Sequence, residues 1–126
     1  VIYGIGTDIV SIRRIAAALE RHGERFAARI LAASEQPGFS AAASPAHFLA
    51  KRFAAKEATA KAFGTGFRDG LTMADIAVTH DKRGKPMLAF SGRAASLCEE
   101  LGIGERFLSL SDEKENAIAF VTLMRR

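Results

Sequence analysis

FLAKRFAAKEATAKAFGTG, residues 48–66, carries the signals of one long helix with an unusual polar stripe. It begins behind Ser44-Pro45, a capping residue and then a proline at the first helical position, and it ends on Gly64 and Gly66. Both helix ends are therefore marked. Counted from Phe53, residues Glu57, Ala60, Lys61 and Gly64 fall at offsets of 4, 7, 8 and 11, which sets a ring, a carboxylate, an ammonium and a glycine along one face. Lys51, Arg52, Lys56 and Lys61 surround Glu57, the only acid of the stretch. Two readings fit. Glu57 holds a metal beside a polyphosphate, or it forms an i, i+4 surface pair with Lys61 worth roughly 0.2–0.5 kcal/mol.

Outward from that helix, 126 residues with 48% apolar and 25% charged side chains suit a single domain, 1–126, that buries a core. No apolar run reaches the roughly 20 residues of a membrane span. Val1-Ile2-Tyr3-Gly4 has no basic leader, so a cytoplasmic location is expected. Cys98 is the only cysteine, which excludes an internal disulfide and a multi-cysteine metal site. The net charge of +4 is uneven: residues 1–68 hold ten Lys/Arg against five Asp/Glu, residues 69–126 eight against nine. A basic first half points to an anionic partner: nucleic acid, a phosphorylated ligand or an acidic protein.

Residues 1–10 read as a buried strand interrupted by Asp8, an acid that needs a cation, hydrogen-bond donors or a solvent-facing strand end. Capping the helix that follows is its plainest role. Gly4-Ile5-Gly6 begins a dinucleotide fingerprint that Ile9 breaks. Ser11 caps a helix to about His22 with Ile12, Ile15, Ala16 and Leu19 inward. Arg14, Arg21 and Arg25, with Phe26 nearby, form a basic stripe if that helix continues, suited to carboxylates or phosphates or simply solvated. Residues 31–44 read as a short helix and a loop. Strands at 76–79 and 87–90 flank the turn Asp81–Pro86, whose tip is basic. A helix follows from Ser91 to Leu101, then strands at 107–111 and 117–124. Hairpins and segregated helices predict an α+β fold with an antiparallel sheet around the long central helix.

The sequence lacks a P-loop, H-E-x-x-H and G-x-S-x-G, and its histidines have no ligand spacing. Asp8 and Glu57 remain, two acids on separate elements in apolar or basic surroundings. Two oxygen ligands with substrate phosphates and waters are the usual set for Mg²⁺. Gly4-Ile5-Gly6-Thr7-Asp8-Ile9-Val10, then Phe48 to Ala58 and Lys61 to Gly66, resemble the paired signatures of the small bacterial 4'-phosphopantetheinyl transferases, the holo-[acyl-carrier-protein] synthases. Gly84-Lys85-Pro86 and Ser109-Leu110-Ser111 extend that similarity nearly end to end.

The resemblance implies a 4'-phosphopantetheinyl transferase-like fold. It implies transfer of phosphopantetheine from coenzyme A to a serine of apo acyl carrier protein, with release of adenosine 3',5'-bisphosphate. Asp8 and Glu57 would hold Mg²⁺, and Glu57, directly or through a water, would be the base. Lys61 would contact a phosphate, and Arg52, Lys61, Gly64, Thr65, Gly66, Gly84, Lys85 and Pro86 match positions around the nucleotide. Arg14, Arg21, Arg25 and Phe26 correspond to the segment that docks the acidic carrier. The resemblance also implies a homotrimer with shared sites and no nucleic-acid or membrane partner. Asp112 stands where many relatives carry histidine, and no role is assigned to it. The competing reading is a non-catalytic basic module that binds nucleic acid or an acidic protein through Arg13 to Arg29 and is indifferent to metal.

Overall fold

The computed structural model describes residues 1–126 and begins on a strand, β1 (Ile2–Ser11). Ser11 ends that strand and caps α1 (Ile12–His22), its hydroxyl accepting from the Arg14 amide at 3.3 Å. Gly23, at φ 58°, stops α1 and opens the short α2 (Glu24–Ile30), so the expected arginine stripe is divided between two helices. A 3-10 turn at Ala33–Glu35 and α3 (Gln36–Ala41) occupy the weakly patterned stretch.

Helix α4 (Pro45–Phe63) is the central element that its sequence predicts. Gly64, at φ 85°, closes it with its amide on the Lys61 carbonyl at 3.0 Å, a left-handed cap that glycine adopts without strain. The expected Ser44 cap differs: the hydroxyl meets His47 Nδ1 at 2.9 Å and makes no bond to a helix amide. Eleven of the helix's nineteen residues are buried, so α4 is covered on most sides. Its alanines allow that, because small side chains let neighbouring backbones come near.

The strands form two antiparallel sheets where the sequence suggests one. β1, β5 (Asn116–Arg125) and β4 (Ile103–Asp112) pair in the order β1-β5-β4, and β2 (Ile76–His80) pairs only with β3 (Pro86–Phe90). Helix α5 (Gly92–Leu101) connects the two sheets and ends on Gly102, as expected. In the larger sheet Ala119 lies opposite Asp8 on one side and Leu110 on the other. Ala117, Ala119, Val121 and Leu123 point from β5 into the core with no exposure.

Strand β1 is not buried on both faces, contrary to the sequence reading. Gly6 and Val10 are buried, while Ile5 and Ile9 are 57% and 63% exposed, the period-2 pattern of a half-covered strand. The apolar content of residues 1–10 hides that alternation because the inward positions include two glycines. Those glycines set the approach of β1 to α4. A Cβ on Gly4 or Gly6 would overlap the carbonyl oxygen of Ala62 or Ala58, respectively. Gly4-Ile5-Gly6 is thus a packing device. The uncovered face of the sheet carries Ile5, Ile9, Phe107, Ile118 and Phe120, all more than 40% exposed.

Candidate active site

Asp8 leaves β1 on its inward side, two residues beyond Gly6, and meets the C-terminal half of α4. Lys61 Nζ donates to Asp8 Oδ1 at 3.2 Å and to the Thr7 carbonyl at 2.9 Å. Lys61 therefore pairs with an acid 53 residues away and forms no salt bridge with Glu57, four residues before it. The i, i+4 surface pair does not form.

Glu57 and Asp8 line one pocket of about 390 Å³ together with Arg14, Ile15, Phe26 and Phe53. Burial raises the pKa of Glu57, the Asp8 charge raises it further, and Lys61 offsets part of the rise. Such a carboxyl accepts a proton more readily than an exposed one, as a general base requires. The chain has no cluster of three or more His, Cys, Asp and Glu that could hold a metal. Two carboxylates facing an open pocket fit a hard cation whose remaining oxygens come from water and substrate, the pattern of Mg²⁺. Asp8 uses only Oδ1 for Lys61, so its second oxygen is left for a cation.

Gly64, Thr65 and Gly66 follow at the same end of α4. Gly64 and Gly66 have positive φ and open space where a Cβ would stand, so their backbone is presented bare. Gly84, Lys85 and Pro86 lie elsewhere. Asp81 closes their turn by accepting from the Arg83 and Lys85 amides at 2.8 and 2.9 Å, and those bonds lower its pKa. The hairpin runs along α4: Phe90 meets Phe63 at 5.6 Å near one end, and near the other burial, followed by the charges of Arg52 and Lys51, lowers the pKa of His80. Arg52 and Gly64 are separated by about 18 Å of helical rise, so the hairpin tip lies toward the opposite end of α4 from Gly64–Gly66.

Two of the four bases around Glu57 are turned inward. Lys56 has no exposure and Arg52 has 8%, and both are paired with Glu35 at 2.6 and 3.1 Å. Arg52, expected beside the nucleotide, stacks over Phe48 at 3.7 Å. Its Nε–H is not aimed at the Glu35 oxygen, so that contact is an ion pair without a hydrogen bond. Sequence reasoning missed Glu35, and the demand of two buried cations for an acid was its only signal. Arg14 and Phe26 reach the acid pocket, whereas Arg21 and Arg25 are exposed on successive helices. Asp112 lies 4.0 Å from Lys51, near the N-terminal half of α4.

A glycine-spaced strand and a buried helix that together present two acids and a lysine define a class that this chain shares with proteins of known name. A sequence model of the 4'-phosphopantetheinyl transferase superfamily matches residues 4–121. The holo-[acyl-carrier-protein] synthase of Halorhodospira halophila is 58% identical over 123 residues, covering 98% of each chain. The crystal structure of the Neisseria meningitidis holo-[acyl-carrier-protein] synthase superposes with a TM-score of 0.95 at 46% identity, covering 99% of this chain and 100% of that one. A Bacillus anthracis holo-(acyl-carrier-protein) synthase in complex with CoA (3',5'-ADP) gives 0.82 at 37% identity, covering 99% and 98%. The chain belongs to the holo-[acyl-carrier-protein] synthase family of 4'-phosphopantetheinyl transferases.

Proposed function

We propose that this chain transfers the 4'-phosphopantetheine arm of coenzyme A to a serine of apo acyl carrier protein, with Mg²⁺, in support of fatty acid biosynthesis in the cytoplasm. The observation that carries this reading is the convergence of Asp8 and Glu57 at one pocket, with Lys61 bonded to Asp8. The serine oxygen forms a bond to the phosphorus that bears pantetheine, the bond from that phosphorus to the leaving phosphate breaks, and adenosine 3',5'-bisphosphate departs. Glu57, its proton affinity raised by burial, takes the serine proton. Asp8 and Glu57 would hold Mg²⁺, which supplies neutralisation of charge on the pyrophosphate. Lys61, released from Asp8 toward a phosphate, stabilises the transferring group. Arg14 and Phe26 at the pocket, with Arg21 and Arg25 beyond, receive the acidic carrier beside these groups.

The working assembly in this reading is a homotrimer with shared sites. Two observations support it. The uncovered sheet face displays five large apolar side chains, a patch of the kind that marks a protein interface. The residues matched to the nucleotide also divide between opposite ends of α4, so a neighbouring chain has to bring the hairpin tip, Gly84-Lys85-Pro86, to the Gly64–Gly66 end. The basic-module alternative, through Arg13 to Arg29, is weaker because it leaves the acid pair Asp8 and Glu57 at the pocket without a purpose. No helix is long and apolar enough to cross a membrane.

Intact-protein mass spectrometry of an apo carrier incubated with this chain and coenzyme A tests the reaction. The expected result is a gain of one phosphopantetheine that requires Mg²⁺ and disappears with chelator. No gain with a competent carrier under any divalent metal overturns the proposal.

A further inference from the structure

Glu35 is 3% exposed and at the centre of the best-connected polar cluster in the interior. Its Oε1 accepts from Lys56 Nζ at 2.6 Å and from the Ala32 amide at 2.8 Å, and its Oε2 accepts from the Val78 amide at 3.0 Å. Lys56 in turn donates to the carbonyls of Ile30 at 2.5 Å and Met73 at 3.1 Å. One carboxylate and one ammonium thus tie α4 to the end of α2, to the turn after it and to β2.

Helix α2 depends on this cluster more than its neighbours do. It has seven residues, and Gly23 at its start offers no side-chain cap, so it is too short to be stable alone. The carbonyls of its last turn need outside partners, and Lys56 serves Ile30. By contrast, α4 is anchored along its length by the sheet, through Gly4 and Gly6 among others. Lys56 immediately precedes Glu57. Successive residues of α4 therefore reach the end of α2 and the acid pocket, while Phe26 of α2 lines that same pocket.

We propose that Glu35 is a positioning residue: acting through Lys56, its buried carboxylate holds α2, and with it Arg25 and Phe26, in register with Glu57. The inference rests on the carrier-docking role assigned to those residues above. Replacing the carboxylate by an amide leaves Lys56 and Arg52 as neighbouring buried cations without an acid, a loss that the anchored α4 tolerates and α2 does not.

Glu35→Gln and Glu35→Asp are compared with the parent protein by hydrogen exchange and by steady-state transfer. In Glu35→Gln, protection at the amides of residues 27–31 falls while that of residues 54–62 is kept. The carrier KM rises about tenfold, equivalent to about 1.4 kcal/mol of docking energy, with kcat and the coenzyme A KM little changed. Glu35→Asp, which keeps the charge, recovers most of the carrier KM. Should Glu35→Gln not fold, Lys56→Met, which leaves Glu35 paired with Arg52, is read in the same way. Unchanged protection of α2, or a uniform loss across all elements with both KM values unchanged, overturns the assignment. Absence of transfer by the parent protein is a failure of the proposed function, and the exchange result then decides whether Glu35 holds α2.

Discussion

Gly6 of β1 runs directly against the carbonyl of Ala58 on α4. A Cβ on Gly6 would overlap that oxygen and stand 2.8 Å from the amide nitrogen of Ala62 and 2.9 Å from the Ala58 carbonyl carbon. All of these are backbone atoms of a buried helix, which cannot yield as a side-chain tip would. Asp8, two residues along on the same face of β1, reaches Lys61 because the strand comes this close. Gly6→Ala is expected to cost roughly 3 kcal/mol or more, at or beyond the usual range for overpacking, and to displace Asp8. Urea unfolding measures the loss, and a stability within about 0.5 kcal/mol of the parent, a margin typical of harmless surface changes, contradicts the packing argument.

Glu57 has a raised pKa whose first cause is burial and whose second is Asp8. A carboxyl that binds its proton more tightly in the folded than in the unfolded state destabilises the fold at pH above its folded value. That cost is relieved as pH falls through the raised value. Glu57→Gln removes the cost. In chelator, this variant is expected to melt above the parent at neutral pH, with the difference shrinking toward acid; with Mg²⁺ present, where the parent transfers, the variant's transfer activity is expected to be lost. A melting advantage that grows toward acid has the wrong sign for this environment.

Much of this arrangement is legible before any coordinates. α4 announces itself through Pro45 and Gly64, both local signals, and the acids stand out because Asp8 sits in an apolar strand and Glu57 among bases. What escapes a linear reading is long-range. Whether Lys56 and Arg52 face water or the interior depends on Glu35, 21 and 17 residues earlier, and no periodicity in residues 48–66 reveals it. The open face of β1 is hidden for another reason: the partners that define its two sides, β5 and α4, come from distant sequence. The Ser44 cap fails on a competing local bond to His47.

Asp8 and Lys61 respond differently to substitution. Their pair is partly solvent-exposed, with Lys61 more than half accessible, so its net contribution to folding is at most about 1 kcal/mol. Asp8→Asn and Lys61→Met are expected to unfold within that margin of the parent. Asp8→Asn is expected to abolish transfer, and Lys61→Met to lower kcat by roughly two to three orders of magnitude, as loss of a transition-state charge partner does. Single-turnover transfer at saturating coenzyme A reads both effects. Full activity in Asp8→Asn removes the metal assignment.

Mixed assemblies test whether a site is shared. Phe120 and Ile9 stand on the open sheet face at 45% and 63% exposure, and Phe120→Glu, which puts a charge into a dry interface, is expected to run as a monomer in light scattering where the parent runs as a trimer. A monomeric parent contradicts the assembly outright. If each site takes Asp8 and Glu57 from one chain and the Lys85 turn from the next, Asp8→Asn and Lys85→Ala damage complementary halves. Each homotrimer is then impaired, but a co-refolded mixture contains sites built from one intact half of each. Activity of the mixture well above the mean of the two parents is the expected outcome, and it distinguishes a shared site from an assembly that merely covers the apolar face. A site complete within one chain gives the mean and no more.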